Sequence, residues 1–118
     1  DRIREMLRAR HEAMDAALEG AMPPGTVWTR PEGGYQCWVE LPFEIDTRDL
    51  LADAARAGVL FSPGALFMPD ARPSRAMRLT VACADEEEIR RGVAALGETI
   101  ARAGAAGRGT GRAAGMHL

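Results

Sequence analysis

Arg78 is the side chain with the clearest capacity for chemistry. It stands in "AMRLTVACA", residues 76–84, on the opposite parity from Met77, Leu79, Val81 and Cys83. A strand with that alternation buries the apolar set and turns Arg78 and Thr80 to its other face. Two readings are open for such an arginine. It is a solvated or ion-paired strand residue, or it is a guanidinium fork meeting both oxygens of a carboxylate ligand, a match that lysine does not offer. Two short segments can flank a ligand there, Glu32–Gly34 and Pro63–Phe67. Gly33, Gly34 and Gly64 either let backbone amides approach a ligand closely or serve turn geometry alone.

Other chemistries are poorly served. The chain has no lysine, all 15 basic residues being arginine, so it cannot by itself complete a reaction that needs a Schiff-base lysine. His11 and His117 are the only histidines, and neither has a ligand-spaced cysteine or carboxylate partner. No metal site is expected, with His11 on a helix surface and His117 in a tail. No Ser-His-Asp set, P-loop or G-x-G-x-x-G cradle is present. The acidic run Asp85–Glu88 suits a helix N-terminus rather than a cation. Cys37 and Cys83 lie in strand-like runs and read as reduced, buried, small apolar side chains, which implies a cytoplasmic setting. A net charge of −2 supplies no basic field for nucleic acid. No apolar run approaches the roughly 18 residues of a membrane span. No signal peptide is expected, since residue 1 is Asp and an amphipathic segment follows at once.

These residues must be positioned by few elements. The 118 residues, 47% hydrophobic and 27% charged, suit one domain with a modest core. Residues 2–20 predict an amphipathic helix with Ile3, Met6, Leu7, Met14 and Leu18 on one face and Arg10 as the one polar interruption. With only Asp1 before it as a cap, the chain reads as an excised domain. Pro23-Pro24-Gly25 turns into a short strand over 26–29, and Pro31–Gly34 turns again into the clearest strand, 35–41. These two strands predict an antiparallel hairpin. Asp46 or Thr47 can cap a second helix carrying Leu50, Leu51, Ala54 and Ala55 and ending at Gly58. "VLFS", 59–62, reads as a short buried strand, and 62–75 as a proline-containing loop. After the strand at 76–84, Asp85 and Glu88 form a capping box for a last helix with Ile89, Val93, Leu96 and Ile100 inward. Glu86 with Arg90, and Glu87 with Arg91, are spaced as helical ion pairs. From residue 104 the chain turns to Gly, Ala and Arg without periodicity, so the domain is expected to span 1–103 and a flexible tail 104–118. The order α-β-β-α-β-β-α predicts an α/β fold of the α+β sandwich kind: a small, mostly antiparallel sheet with helices on one face.

Three stretches in this order, "PEGGYQCWVELP", "DTRDLLADAARAGVLFSPGALF" and "RAMRLTVACADEEEIRRGVAAL", carry a family resemblance over about residues 2–102. The chain resembles the C-terminal small domain of fold-type I pyridoxal-phosphate aminotransferases of class I/II. It is most similar to aminoadipate-type enzymes and to the aminotransferase-like domain of GntR-family regulators of the MocR type. The resemblance implies that Arg78 binds the α-carboxylate of an amino-acid substrate. It implies that Pro63, Gly64 and Phe67 border the active-site cleft, and that Gly33-Gly34 opens the small-domain hairpin. It also implies pyridoxal 5'-phosphate in the full-length protein, bound mainly by a large domain that this chain lacks, and a full-length homodimer. The family's Schiff-base lysine, its carboxylate facing the pyridine nitrogen and its phosphate-binding residues have no matching position here, so no cofactor is expected in the fragment.

The resemblance leaves two full-length proteins open. One is a transcriptional regulator whose domain senses pyridoxal phosphate or an amino compound while an absent N-terminal winged helix binds DNA; "GGYQCWVELP" and "DARPSRAMRLT" lean that way. The other is an aminotransferase acting on an amino acid and a 2-oxo acid. A third reading is an independent small-ligand or interaction module. None places DNA or membrane contact on this chain. A small domain without its large partner is also expected to expose apolar surface on the first helix and the loop edges.

Overall fold

The computed structural model describes residues 1–29, 36–80 and 84–117, with side chains described as far as residue 105. Asp1 caps the first helix, α1 (Arg2–Ala21), accepting from the Ile3 N–H at 2.8 Å. The helix buries Leu7, His11, Met14 and Leu18. His11, expected on the surface, is thus an inward residue: spacings of four, three and four put it on the stripe between Leu7 and Met14. Ile3 and Met6, expected on the same inward face, remain 60% and 42% exposed.

Strands β1 (Val27–Thr29) and β2 (Gln36–Glu40) form the expected antiparallel hairpin, pairing Trp28 with Val39. Asp46 then caps a single 3-10 turn, Thr47–Leu50, that runs into the short helix α2 (Leu51–Arg56). Leu50 and Ala54 point into the core, whereas Ala55 is exposed. Gly58 leaves the helix in the left-handed region, φ +89°. The strand expected at 59–62 is displaced. The observed β3 is Ser62–Pro63, and Leu60 is 82% exposed. Proline tolerates this position because β3 is an edge strand, where a missing N–H costs least. Two further 3-10 turns, Gly64–Phe67 and Pro69–Ala71, lead to β4 (Ala76–Thr80).

The four strands lie in the order β1-β2-β4-β3, all antiparallel. The inward parity, Cys37, Val39, Met77 and Leu79, meets α1 and the last helix, α3 (Glu86–His117), in one core. Asp85 and Glu88 close the expected capping box: the Glu88 N–H donates to Asp85 at 2.8 Å, and the Asp85 N–H donates to Glu88 at 3.1 Å. Ile89, Val93, Leu96 and Ile100 are all buried, each such side chain stabilising the fold by about 1.5–3 kcal/mol. Glu87 pairs with both Arg90 and Arg91, in place of the expected Glu86–Arg90 pair. The helix does not stop at residue 103. Gly104 is buried against Phe43, and the backbone stays helical to His117. Each glycine costs only about 1 kcal/mol in a helix that packing has already nucleated, and alanine and arginine propagate it. The change of composition at residue 104 is therefore not a change of secondary structure. Val81, Ala82 and Cys83, expected to extend β4, lie outside the described residues.

Candidate functional site

Because helices cover one face of the sheet, the other face carries the opposite parity. The register sets Thr29, Trp38, Arg78 and Ser62 side by side across all four strands. Arg78 is therefore flanked on its own face by an indole and a hydroxyl side chain. Phe67, from the 3-10 turn after β3, lies against the same row. The Arg78 guanidinium carbon stands 4.6 Å from the Phe67 ring centroid. The Trp38 ring meets Phe67 edge-on, 5.8 Å between centroids at 73°. A guanidinium stacked on an aromatic face is held flat while its N–H edge stays free to donate.

No described residue occupies that edge. Among the described residues, Arg78 makes no hydrogen bond or ion pair with a carboxylate. The contrast is with Arg75, three residues earlier, whose guanidinium lies 3.2 Å from Glu40 and 3.8 Å from Glu44. One arginine is spent on structure, and the other presents a half-buried, planar pair of donors. A carboxylate is the anion that such a fork fits best.

The turn beneath the site is held from inside. Thr47, fully buried, donates from Oγ1 to the Ala76 carbonyl at 2.7 Å and accepts from the Gly64 N–H at 3.4 Å. The Thr47 N–H donates to the Ser74 carbonyl at 3.0 Å. Gly64 must be glycine for lack of room: a Cβ there would collide with Ser74 Oγ and stand 2.7 Å from the Ala76 carbonyl oxygen. Asp46 sets the start of this segment. Hydrogen bonds from the Arg48 side chain hold its carboxyl below the usual carboxylate range, burial opposes them, and the Arg48 N–H adds to the lowering. The Arg48 Nη2 to Asp46 Oδ2 distance is 2.6 Å.

Of the residues singled out from sequence, Arg78 and Phe67 are brought into contact. Pro63 is buried one register step from Arg78, opposite Met77, and Gly64 is buried beneath the turn. Neither contributes to the exposed surface of the site. Gly33 and Gly34 lie outside the described residues. Trp38 and Thr47 were not anticipated as site residues. A tryptophan on the polar parity of β2 is the one sequence signal for Trp38. Thr47 reads only as a candidate helix cap. Among the described residues, the exposed large apolar side chains are Ile3 and Met6 on α1, Val27 on β1, Leu60 before β3, and Leu66 and Phe67 on the turn. Among the described residues, no cluster of His, Cys, Asp and Glu could hold a metal. No described helix is long and apolar enough to cross a membrane.

No family model matches the chain. Individual relatives do. Aromatic-amino-acid aminotransferase 1 of Thermococcus litoralis is 42% identical over 99 residues, 84% of this chain and 24% of that protein. The solved kynurenine aminotransferase of Pyrococcus horikoshii superposes with a TM-score of 0.79 at 40% identity, over 86% of this chain and 25% of that one. The HTH-type transcriptional regulator YdfD of Bacillus subtilis is 27% identical over 100 residues, 85% of this chain and 20% of that protein. The chain thus spans about a quarter or less of the length of the curated relatives that it matches.

Proposed function

We propose, from the premise that this chain belongs with the C-terminal small domains of fold-type I pyridoxal-phosphate aminotransferases and the regulators that share their fold, that it is the carboxylate-recognising domain of an aminotransferase. The observation that carries the proposal is the guanidinium of Arg78, stacked on Phe67 with its donor edge open. An amino acid presents its α-carboxylate to that edge and receives two parallel hydrogen bonds. The fork fixes the orientation of the ligand, and that is this domain's contribution to the reaction.

The residues of this chain do not fit a role as cofactor carrier. There is no lysine to bind pyridoxal phosphate covalently, and among the described residues the open donor set at the site is one fork rather than a phosphate cradle. The cofactor's site and the chemistry that it supplies belong to the large domain absent from this chain. The exposed side chains Ile3 and Met6 on α1 give that domain an apolar surface to pack on. The whole protein is expected to be a cytoplasmic homodimer that closes over its ligand.

The sequence motifs lean toward a MocR-type regulator. In favour of the enzyme reading, the aminotransferases reach 42% and 34% identity and the HTH-type regulators 27% and 28%. The regulator remains the second reading because those two relatives exist. A winged helix encoded ahead of the large domain would select it. The binding role is tested with Arg78→Lys in the full-length protein, by calorimetric titration with amino acids. Replacing the fork by a point charge should weaken binding about 10- to 100-fold. Unchanged affinity would refute the role.

A further inference from the structure

We propose that Thr47 is a positioning residue for the carboxylate fork: one buried hydroxyl holds both the strand that carries Arg78 and the turn that carries Phe67. The inference rests on the reading of Arg78 as the ligand fork and adds what sets its geometry. Thr47 Oγ1 makes one bond on each side, donating to the Ala76 carbonyl at 2.7 Å and accepting from the Gly64 amide at 3.4 Å. Ala76 is two residues before Arg78 on the same strand face, and Gly64 is three before Phe67. Pairing between β3 and β4 ends at Pro63, opposite Met77. Proline has no N–H to carry the ladder on, so past that point the turn is secured from the side by Thr47. The hydroxyl sits on a β-branched side chain with no solvent exposure, a stiff support that water cannot replace. The Gly64 backbone lies too close to Ser74 and Ala76 to leave room for a Cβ. Any shift at this junction therefore reaches the Phe67 ring on which Arg78 rests.

The test compares Thr47→Val, Thr47→Ser and Arg78→Met in the full-length protein. The readout is the ratio of affinities for L-phenylalanine and 2-phenylethylamine, which lacks the carboxylate. A loss of general stability moves both affinities, whereas a displaced fork moves only the first. Thr47→Val is expected to lower the ratio about tenfold, and Thr47→Ser, which keeps the hydroxyl, to hold it within about twofold. A ratio unchanged in Thr47→Val but collapsed in Arg78→Met overturns this inference and leaves the fork standing. A ratio unchanged in Arg78→Met overturns the underlying reading. Should the valine variant fail to fold, Thr47→Cys, with its weaker donor, is read on the same scale; a ratio equal to that of the unaltered protein overturns the inference. Crystal structures of the full-length variants measure the displacement without ligand. The 4.6 Å stack should be kept in Thr47→Ser and opened by about 1 Å in Thr47→Val, a misplacement on the scale that disables positioned groups. An unmoved stack in Thr47→Val counts against the inference.

Discussion

Gly64→Ala is the substitution whose cost the structure states most directly. The added Cβ would collide with Ser74 Oγ and stand 2.7 Å from the Ala76 carbonyl oxygen. Both contacts lie inside van der Waals separation, but they do not yield equally. Ser74 can rotate its hydroxyl away at small cost, giving up the 3.1 Å bond that it accepts from the Ala76 N–H. The carbonyl cannot rotate away, because it belongs to the backbone of β4. Moving it stretches the 2.7 Å bond from Thr47. Overpacking of this kind costs about 1–3 kcal/mol, and the lost buried hydrogen bond about 1 kcal/mol more. The sum, about 2–4 kcal/mol, is a large part of an ordinary folding stability of about 5–15 kcal/mol. Urea denaturation at constant m-value is the assay. Gly20→Ala supplies the control: Gly20 is inside α1 and has nothing within 4 Å of the new Cβ. That variant should gain about 0.5–1 kcal/mol from helix propensity alone. The same chemical change is thus expected to act with opposite sign at the two sites. If Gly64→Ala cost less than about 0.5 kcal/mol, the close approach beneath the turn would be refuted.

Gly58→Ala should destabilise by about 1 kcal/mol for a different reason, since it has room but its φ of +89° is strained for any residue with a Cβ; thermal melts measure it, and Gly58→Asn should lose less. Asp85→Ala removes the cap of α3 and should cost about 1 kcal/mol in the same melts. Asp46 is lowered in the folded state, so its contribution to stability is complete above the ordinary carboxylate pKa of about 3.9 and is lost as pH falls through the lower folded value. Denaturant midpoints of the unaltered protein and Asp46→Asn should accordingly differ at neutral pH and converge in acid; a constant difference would show that the carboxylate charge is not what stabilises. Phe67→Leu keeps an apolar side chain but removes the ring face under Arg78. It should weaken amino-acid binding by about two- to fivefold, the scale of one cation–π contact, as read by calorimetry.

Local rules carried most of the architecture. The capping box at Asp85 and Glu88, the stop at Gly58 and the alternation through Cys37 and Val39 each depend on residues within a few positions, and each stands as read. Arg78's face followed from parity alone, because a strand has only two sides. Where neighbours far along the chain compete, the local signal misplaced things. "VLFS" has strand composition, yet Ser62 and Pro63 form β3, because only they reach β4 in register. His11 reads as polar and therefore outward, yet the packing of α1 on the sheet sets which stripe is buried, and it includes His11. The glycines after residue 104 read as a breakdown of helix, yet a helix anchored through Ile100 extends past them.

The candidate site divides along the same line. That Arg78 points away from the core, that no lysine is available for covalent catalysis and that glycine and proline punctuate the turn before Phe67 are all properties of residue type and spacing. That Phe67 lies under Arg78, that Trp38 stands beside it and that Thr47 ties the two backbones together are not. Those contacts join positions 11 to 40 residues apart in sequence. They exist because strand register and a buried hydroxyl bring distant segments to one place, and neither leaves a mark in the local pattern of apolar and polar residues.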